Sequence, residues 1–208
     1  MLQTVELLHQ SDKSTVALVI DTETGKKVVR KELSGRHLIY SKLQTIYHPY
    51  LPNILSVRLE NGKTIVTEEY IEGASLGRIS LSERGLTRAF LELCQVLEFL
   101  HGHGILHRDI KPDNIMITDD GIVKLTDLGL AINQSEWHEG MEISGSPSYM
   151  SPEQFRGEKL DSRSDIYSLG ATFYQFVTGQ FPFTGSSVTE IARKHITDPL
   201  VPPIEVNP

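Results

Sequence analysis

The sequence predicts an α+β chain in two unequal parts: a small β-rich unit over roughly the first 70 residues, then a mainly helical unit. Three observations carry this. Residues 2 to 33 and 53 to 70 alternate apolar and polar side chains in short β-rich runs, the period of a half-buried strand. Residues 86 to 100 carry Phe90, Leu93, Leu97 and Leu100 on one face, the stripe of an amphipathic helix. After Gly73, strand spacing gives way to helix spacing.

In chain order, VELLH, TVALVID and KVVRKEL form three antiparallel strands, the last two joined by the turn TETG. A short helix is expected over 36 to 46, where Leu38, Leu43 and Ile46 recur at helix-like intervals. His48-Pro49 and Leu51-Pro52 end it, because a proline drives the preceding residue out of the helical region. NILSVRLE and KTIVTEEY flank Asn61-Gly62, a pair suited to the two positive φ angles of a type I′ turn, so a hairpin follows. HGHG (101 to 104) breaks the amphipathic helix. Its two histidines could suggest a metal site, but with no acidic or thiol partner nearby in sequence they read as a polar helix end. NIMI and VKLTDL are short strands around a DDG turn. Residues 163 to 178 are apolar almost all round, which predicts a buried helix. Residues 198 to 208, with four prolines, predict an extended tail.

Composition narrows the function classes. The chain has 208 residues, 39% hydrophobic and 23% charged, which suits a soluble protein with a real core. A net charge of −7 argues against a nucleic-acid or anionic-membrane partner. The single cysteine, Cys94, excludes an internal disulfide and fits a reducing compartment. Lying in a helical apolar pattern, it is expected to be a small core hydrophobe. No run approaches 18 consecutive apolar residues and the N-terminus lacks a signal-peptide pattern, so a cytoplasmic location is expected.

The stretch HRDIKPDN (107 to 114) sits between apolar GIL and IMI, and five of its eight residues are charged or titratable. It is either a solvated turn or a loop of functional charges held rigid by buried elements. Its neighbours decide. DLG (127 to 129) follows a strand, GSPSYMSPE (145 to 153) follows a polar loop, and DIYSLG (165 to 170) opens the apolar helix. In this order and spacing the set resembles the protein kinase superfamily. The wording SPEQFRGEKLDSRSDIYSLG…TGQFPFTG is most similar to bacterial Hanks-type Ser/Thr kinases. The resemblance runs from about residue 5 to the end and is strong after residue 69. It implies a bilobal kinase fold, with a reduced N-lobe over 1 to 70 and a partial C-lobe over 71 to 208 that lacks its last helices.

Phosphoryl transfer asks for alignment, charge neutralisation and a proton acceptor rather than covalent help. The resemblance implies ATP and Mg²⁺ as cofactors and a protein Ser/Thr hydroxyl as acceptor. It gives Asp109 the role of catalytic base and sets Lys111 against the γ-phosphate. A lysine there is typical of Ser/Thr rather than Tyr kinases. Asn114 and Asp127 supply hard oxygens suited to magnesium. Asp165 matches the aspartate that braces the HRD backbone, and Ser146 the hydroxyl that bonds the catalytic aspartate and lysine. Val16 and Val29 are expected above the adenine and Met116 below, with Glu69 and Ile71 offering backbone groups. Arg108 implies a reader of phosphate on the segment 127 to 153, with Ser135 and Ser144 as acceptors and Ser144 favoured. The alternative is that both are solvated loop hydroxyls. Glu153 matches a glutamate whose usual arginine lies in the missing helices, so the chain is either a piece of a longer domain or a minimal kinase.

The N-terminal part departs from the pattern. His9, Ser11 and Ser14 stand where the family has three glycines that let a backbone approach phosphates. Lys13, at the tip, either compensates in charge or faces solvent. VVRK (28 to 31) makes Lys31 the candidate for the α- and β-phosphates. The helix glutamate that should hold it is replaced by Ile39, and no glutamate lies between Glu32 and Glu60. Glu68 occupies the gatekeeper position, where a carboxylate needs a partner, and Lys31 is the proposed one. If the register differs by one, Thr67 faces the pocket instead. Two functions stay open: a Ser/Thr kinase, and a pseudokinase acting as a nucleotide-binding or interaction scaffold. Small-molecule phosphotransferases share the Asp…Asn loop but normally lack a GSPSYMSPE-type segment.

Overall fold

The computed structural model describes residues 2–208. Strands β1 (Leu2–Gln10), β2 (Ser14–Asp21), β3 (Lys27–Ser34), β4 (Ile54–Glu60) and β5 (Lys63–Glu69) form one antiparallel sheet in the order β1-β2-β3-β5-β4. The hairpin joining β4 to β5 turns through Asn61 and Gly62 at φ 50° and 75°, the two left-handed positions that a type I′ turn requires. β1 is an exposed edge strand whose pairing with β2 slips at Thr4/Glu6 and again at Leu7/His9. Such bulges twist an edge away from further pairing.

Helix α1 (Ile39–Leu43) buries Ile39, Tyr40 and Leu43 against the sheet. Leu38, expected on its inner side, instead sits at the N-cap and is 52% exposed. The chain before it is tied down: the Thr64 hydroxyl accepts from the His37 N–H and donates to the Gly35 carbonyl, so no helix can form there.

The second part contains β6 (Gly73–Ser75), α2 (Glu83–Gly102), β7 (Ile105–Leu106), β8 (Ile115–Thr118), β9 (Val123–Leu125), β10 (Ile132–Asn133), α3 (Pro152–Arg156), α4 (Ser162–Thr178), α5 (Val188–Thr197) and α6 (Pro203–Val206). Ser82 caps α2 by accepting from the Gly85 N–H at 3.2 Å. The helix buries Leu93, Val96, Leu97 and Leu100. Cys94, expected in the core, is exposed, because its position falls off the i, i+3, i+4 stripe that these residues define.

Helix α4 also differs from expectation. Its buried residues mix polar groups, Ser164, Asp165, Ser168 and Thr172, with Leu169, Ala171 and Tyr174, while Ile166 and Phe173 are 52% and 41% exposed. Ser168 and Thr172 are tolerated inside because their hydroxyls bond back to the carbonyls of Ser164 and Ser168. The proline-rich tail is not wholly extended: α6 forms one turn with Pro203 at its start, and Asn207 docks on the Val177 carbonyl at 2.6 Å.

A single apolar core joins the two parts. Leu33, Ile39, Tyr40, Leu43, Ile54 and Val66 pack with Leu93, Leu97, Leu100, Ile115, Leu125 and Leu128. Among the described residues, no helix is long and apolar enough to cross a membrane.

Candidate active site

Between α2 and β8 the loop 107 to 114 is almost wholly buried, which excludes the solvated-turn reading. It is held from beneath by Asp165, 1% exposed on α4. One carboxylate oxygen accepts from the Arg108 N–H at 2.9 Å; the other accepts from the His107 N–H at 2.9 Å and lies 2.8 Å from Nε2 of His101. His107 reaches across to the Thr126 carbonyl at 3.0 Å. Arg108 takes φ 71°, a left-handed conformation unfavourable for a side-chain-bearing residue, and its carbonyl accepts from Nε2 of Gln154 at 3.0 Å. The fold around the loop compels this backbone path.

That path aims the side chains of Asp109, Lys111 and Asn114 at one place. Nδ2 of Asn114 donates to the Asp109 carbonyl and to Oδ2 at 2.8 and 3.0 Å. Nζ of Lys111 lies 2.8 Å from the same Oδ2 and 2.8 Å from the Ser146 hydroxyl. Burial alone would raise the Asp109 carboxyl. The hydrogen bond and charge of Lys111, with Ser146 and His107, outweigh it and hold the group below the usual carboxylate range. Oδ1 of Asp109 is buried without a partner.

The loop forms the floor of a cleft of about 780 Å³ beneath the sheet. Val16, Val29, Lys31, Glu68, Glu69 and Ile71 line it from the sheet and linker; Lys111, Asn114, Met116 and Asp127 line it from below. Asp127 takes φ 58° and leaves its side chain 57% exposed, while Leu128 beside it is locked in the core.

Lys31 and Glu68, each 5% exposed, meet at 2.7 Å; Asp127 is 3.9 Å from the same ammonium. Burial alone would lower the Lys31 pKa, but Glu68, then Tyr40 and Asp127, raise it, so the group stays charged. The Tyr40 hydroxyl lies buried beside this pair with no hydrogen-bond partner. Glu69 behaves differently from its neighbour. Its N–H is occupied by the Asn53 carbonyl, which leaves only its own carbonyl to face a ligand. Its carboxylate accepts from the N–H and Nδ2 of Asn53 and lies 3.4 Å from Nζ of Lys124 on β9.

The residues expected in regulatory and supporting roles also have definite places. The Arg108 guanidinium donates to the carbonyls of Leu130 and Glu142 at 3.3 and 3.4 Å, and its Nε is buried without a partner. The Ser144 hydroxyl reaches the same Glu142 carbonyl at 3.3 Å, and both residues line one small crevice. Ser135 is bound locally to Asn133 at 2.7 Å. Glu153 accepts from the Ser164 hydroxyl at 2.5 Å, which occupies it in place of an arginine. Lys13 ion-pairs with Glu142 at 2.9 Å, joining the β1–β2 turn to the segment 127 to 153. His101, Gln154 and Lys124 belong to this machinery although no local motif marks them.

Comparison with known proteins gives the family. Residues 3–206 match the protein kinase domain model. The chain belongs to the protein kinase domain family. It is 32% identical to a probable serine/threonine-protein kinase PknB of Bifidobacterium longum over 95% of this chain, and 36% identical to a probable serine/threonine-protein kinase of Clostridium perfringens over 79%. It is 39% identical to serine/threonine-protein kinase PknB of Mycolicibacterium smegmatis over 66%. These matches cover 33%, 25% and 24% of the respective relatives, so the chain spans a third or less of their length.

Proposed function

We propose that this kinase domain transfers the γ-phosphate of Mg²⁺-bound ATP to Ser or Thr hydroxyls of a protein, in the cytoplasm where ATP is held. The observation that carries the reading is the state of Asp109. One carboxylate oxygen is fixed by Asn114 and Lys111, and the other is buried and free to accept a hydroxyl proton.

The groups present fit ATP and a divalent cation. Asn114 spends its Nδ2 on Asp109, which leaves Oδ1 as a ligand oxygen; Asp127 offers an exposed carboxylate in the same cleft. Two protein oxygens, with phosphate oxygens and waters, satisfy magnesium's octahedral demand. A cation bound there would neutralise the charge that accumulates on the phosphates. In the transfer, the acceptor oxygen bonds to the γ-phosphorus as the bond to the β–γ bridging oxygen breaks. Asp109 orients the hydroxyl and takes its proton, Lys111 offsets charge on the migrating phosphoryl group, and Lys31 holds the α- and β-phosphates. Val16, Val29 and Met116 supply apolar walls for the adenine.

The test is incubation with labelled ATP and Mg²⁺ beside an Asp109→Asn control. Label on protein that requires Asp109 supports the enzyme. Nucleotide binding without label on self or generic acceptors would replace this reading with the scaffold one, which the side chains of His9, Ser11 and Ser14 at the phosphate lid would then explain.

A further inference from the structure

The lysine that would hold the nucleotide phosphates is anchored within the sheet itself. In β3 and β5, Val29 pairs with Glu68 and Lys31 with Val66. Lys31 and Glu68 are therefore diagonal neighbours on one face of the sheet, a separation that long side chains bridge. That face is the cleft face, since Val29, Lys31 and Glu68 all line it. Helix α1 supplies no carboxylate; what it brings near the pair is the Tyr40 hydroxyl, which makes no hydrogen bond. The helix has no acidic residue in its first turn, and it meets the core through Ile39, Tyr40 and Leu43.

We propose that Glu68 is the positioning residue for Lys31, and that this pair, closed within the sheet, fixes the phosphate-binding lysine without a carboxylate from helix α1. The inference rests on the kinase reading above. Three features argue against a merely structural ion pair. A buried pair seldom improves stability over apolar residues of the same size. This one sits on the cleft wall, and its ammonium lies 3.9 Å from Asp127, the proposed metal ligand. The regulatory consequence is specific. Where the carboxylate partner stands on a movable helix, moving the helix breaks the pair; here the partner is one strand away, joined by ladder hydrogen bonds. Control must then act elsewhere, and the segment 127 to 153 also lines the cleft, through Asp127, Glu142 and Ser144.

A double-mutant cycle on the whole chain tests this, using Lys31→Met, Glu68→Met and both together. Affinity for Mg²⁺-ATP, and the split between KM and kcat, are the readouts. Each single change should weaken ATP binding about tenfold or more, and the double should be no worse than the worse single, because the two residues act as one unit. Additive losses, or a Glu68 variant that binds ATP normally, would overturn the proposal. Should Glu68→Met fail to fold, Glu68→Gln keeps the shape without the charge. In it, affinity for Mg²⁺-ATP should fall as in Glu68→Met, and affinity within about twofold of wild type counts against the pairing. Ser41→Gly, on the exposed side of α1, should speed hydrogen exchange in that helix and leave the KM for ATP within about twofold. A rise in KM that follows the loosened helix would refute independence from α1. Failure of the wild type to transfer phosphate overturns the kinase reading alone, since the ATP-binding cycle still decides the role of Glu68. Failure to bind ATP overturns both.

Discussion

Replacing Asp165 by asparagine should cost more than its small change of shape suggests. The carboxylate accepts from two backbone N–H groups, of His107 and Arg108, and contacts His101, all in a site 1% exposed. An asparagine keeps one acceptor oxygen and presents an NH₂ at the other position. Whichever way the amide turns, one backbone N–H loses its acceptor and faces a donor. A hydrogen bond to a charged group contributes about 1.5–3 kcal/mol, and a stranded buried N–H costs about 1–3 kcal/mol. A net loss of about 3 kcal/mol is expected. For a chain of this length that is a fall in Tm of about 6–12 °C. The same bonds hold Arg108 at φ 71°, so the loop should relax and misplace Asp109. The expected kinetic signature is a kcat reduced more than about tenfold with little change in KM for ATP, because the Lys31 side of the cleft is untouched. Thermal unfolding and steady-state assays of Asp165→Asn measure both. A Tm within about 2 °C of wild type together with unchanged kcat would refute this account of the loop.

Three further outcomes are expected. Asp127→Asn should abolish transfer at limiting Mg²⁺ while leaving the fold intact, since its side chain is 57% exposed; unchanged turnover would show that it is no metal ligand. Phosphate should appear within 127 to 153, foremost at Ser144 beside Arg108, and raise activity; mass spectrometry finding it only elsewhere, or full activity in Ser144→Ala, would remove that role. His195, enclosed by Phe155, Tyr167 and Phe183, is pushed down to about 4 by burial. Its folded pKa lies below the unfolded value of about 6.5, so the unfolded chain takes the proton first. Stability is full above pH 6.5 and falls as pH drops toward 4, by roughly 3 kcal/mol at most. Urea midpoints at pH 7.5 and 4.5 should differ less in His195→Gln, and equal pH dependence in both proteins would exclude His195 as the cause.

The features legible in the sequence are those set by local chemistry. Asn61-Gly62 specifies its turn because few residues accept two positive φ angles, and α2 announces itself through a stripe four turns long. HRDIKPDN was readable because charge between apolar flanks requires an explanation. Helix α4 misled because its apolar count says nothing about which face is inner. The polar Ser164, Asp165, Ser168 and Thr172 go inside to serve the catalytic loop, and Ile166 and Phe173 turn outward. Cys94 misled for a related reason: a stripe's edges are finer than its period. The roles of Gln154, His101 and Lys124 were not readable, and His101 passed for a polar helix end, because their partners lie 46, 64 and 55 positions away. Glu68 and Lys31 were within reach only because two departures from a pattern, a lost carboxylate and a gained one, fell on neighbouring strands.

The Glu69–Asn53–Lys124 junction bears on timing. Lys124 also donates to the Leu51 carbonyl at 3.2 Å, and the Leu125 N–H donates to the Tyr50 carbonyl at 2.8 Å, so residues 50 to 53 tie β9 to the end of β5. The cleft is stapled at its back, next to the linker, by buried and half-buried bonds. At its mouth the exposed Lys13–Glu142 pair latches it, a contact that salt weakens. Wide gaping of one half from the other would tear the staple, whereas lifting the β1–β2 turn breaks one surface contact. On the function proposed above, bound nucleotide should leave by the turn, and its release should quicken as ionic strength rises.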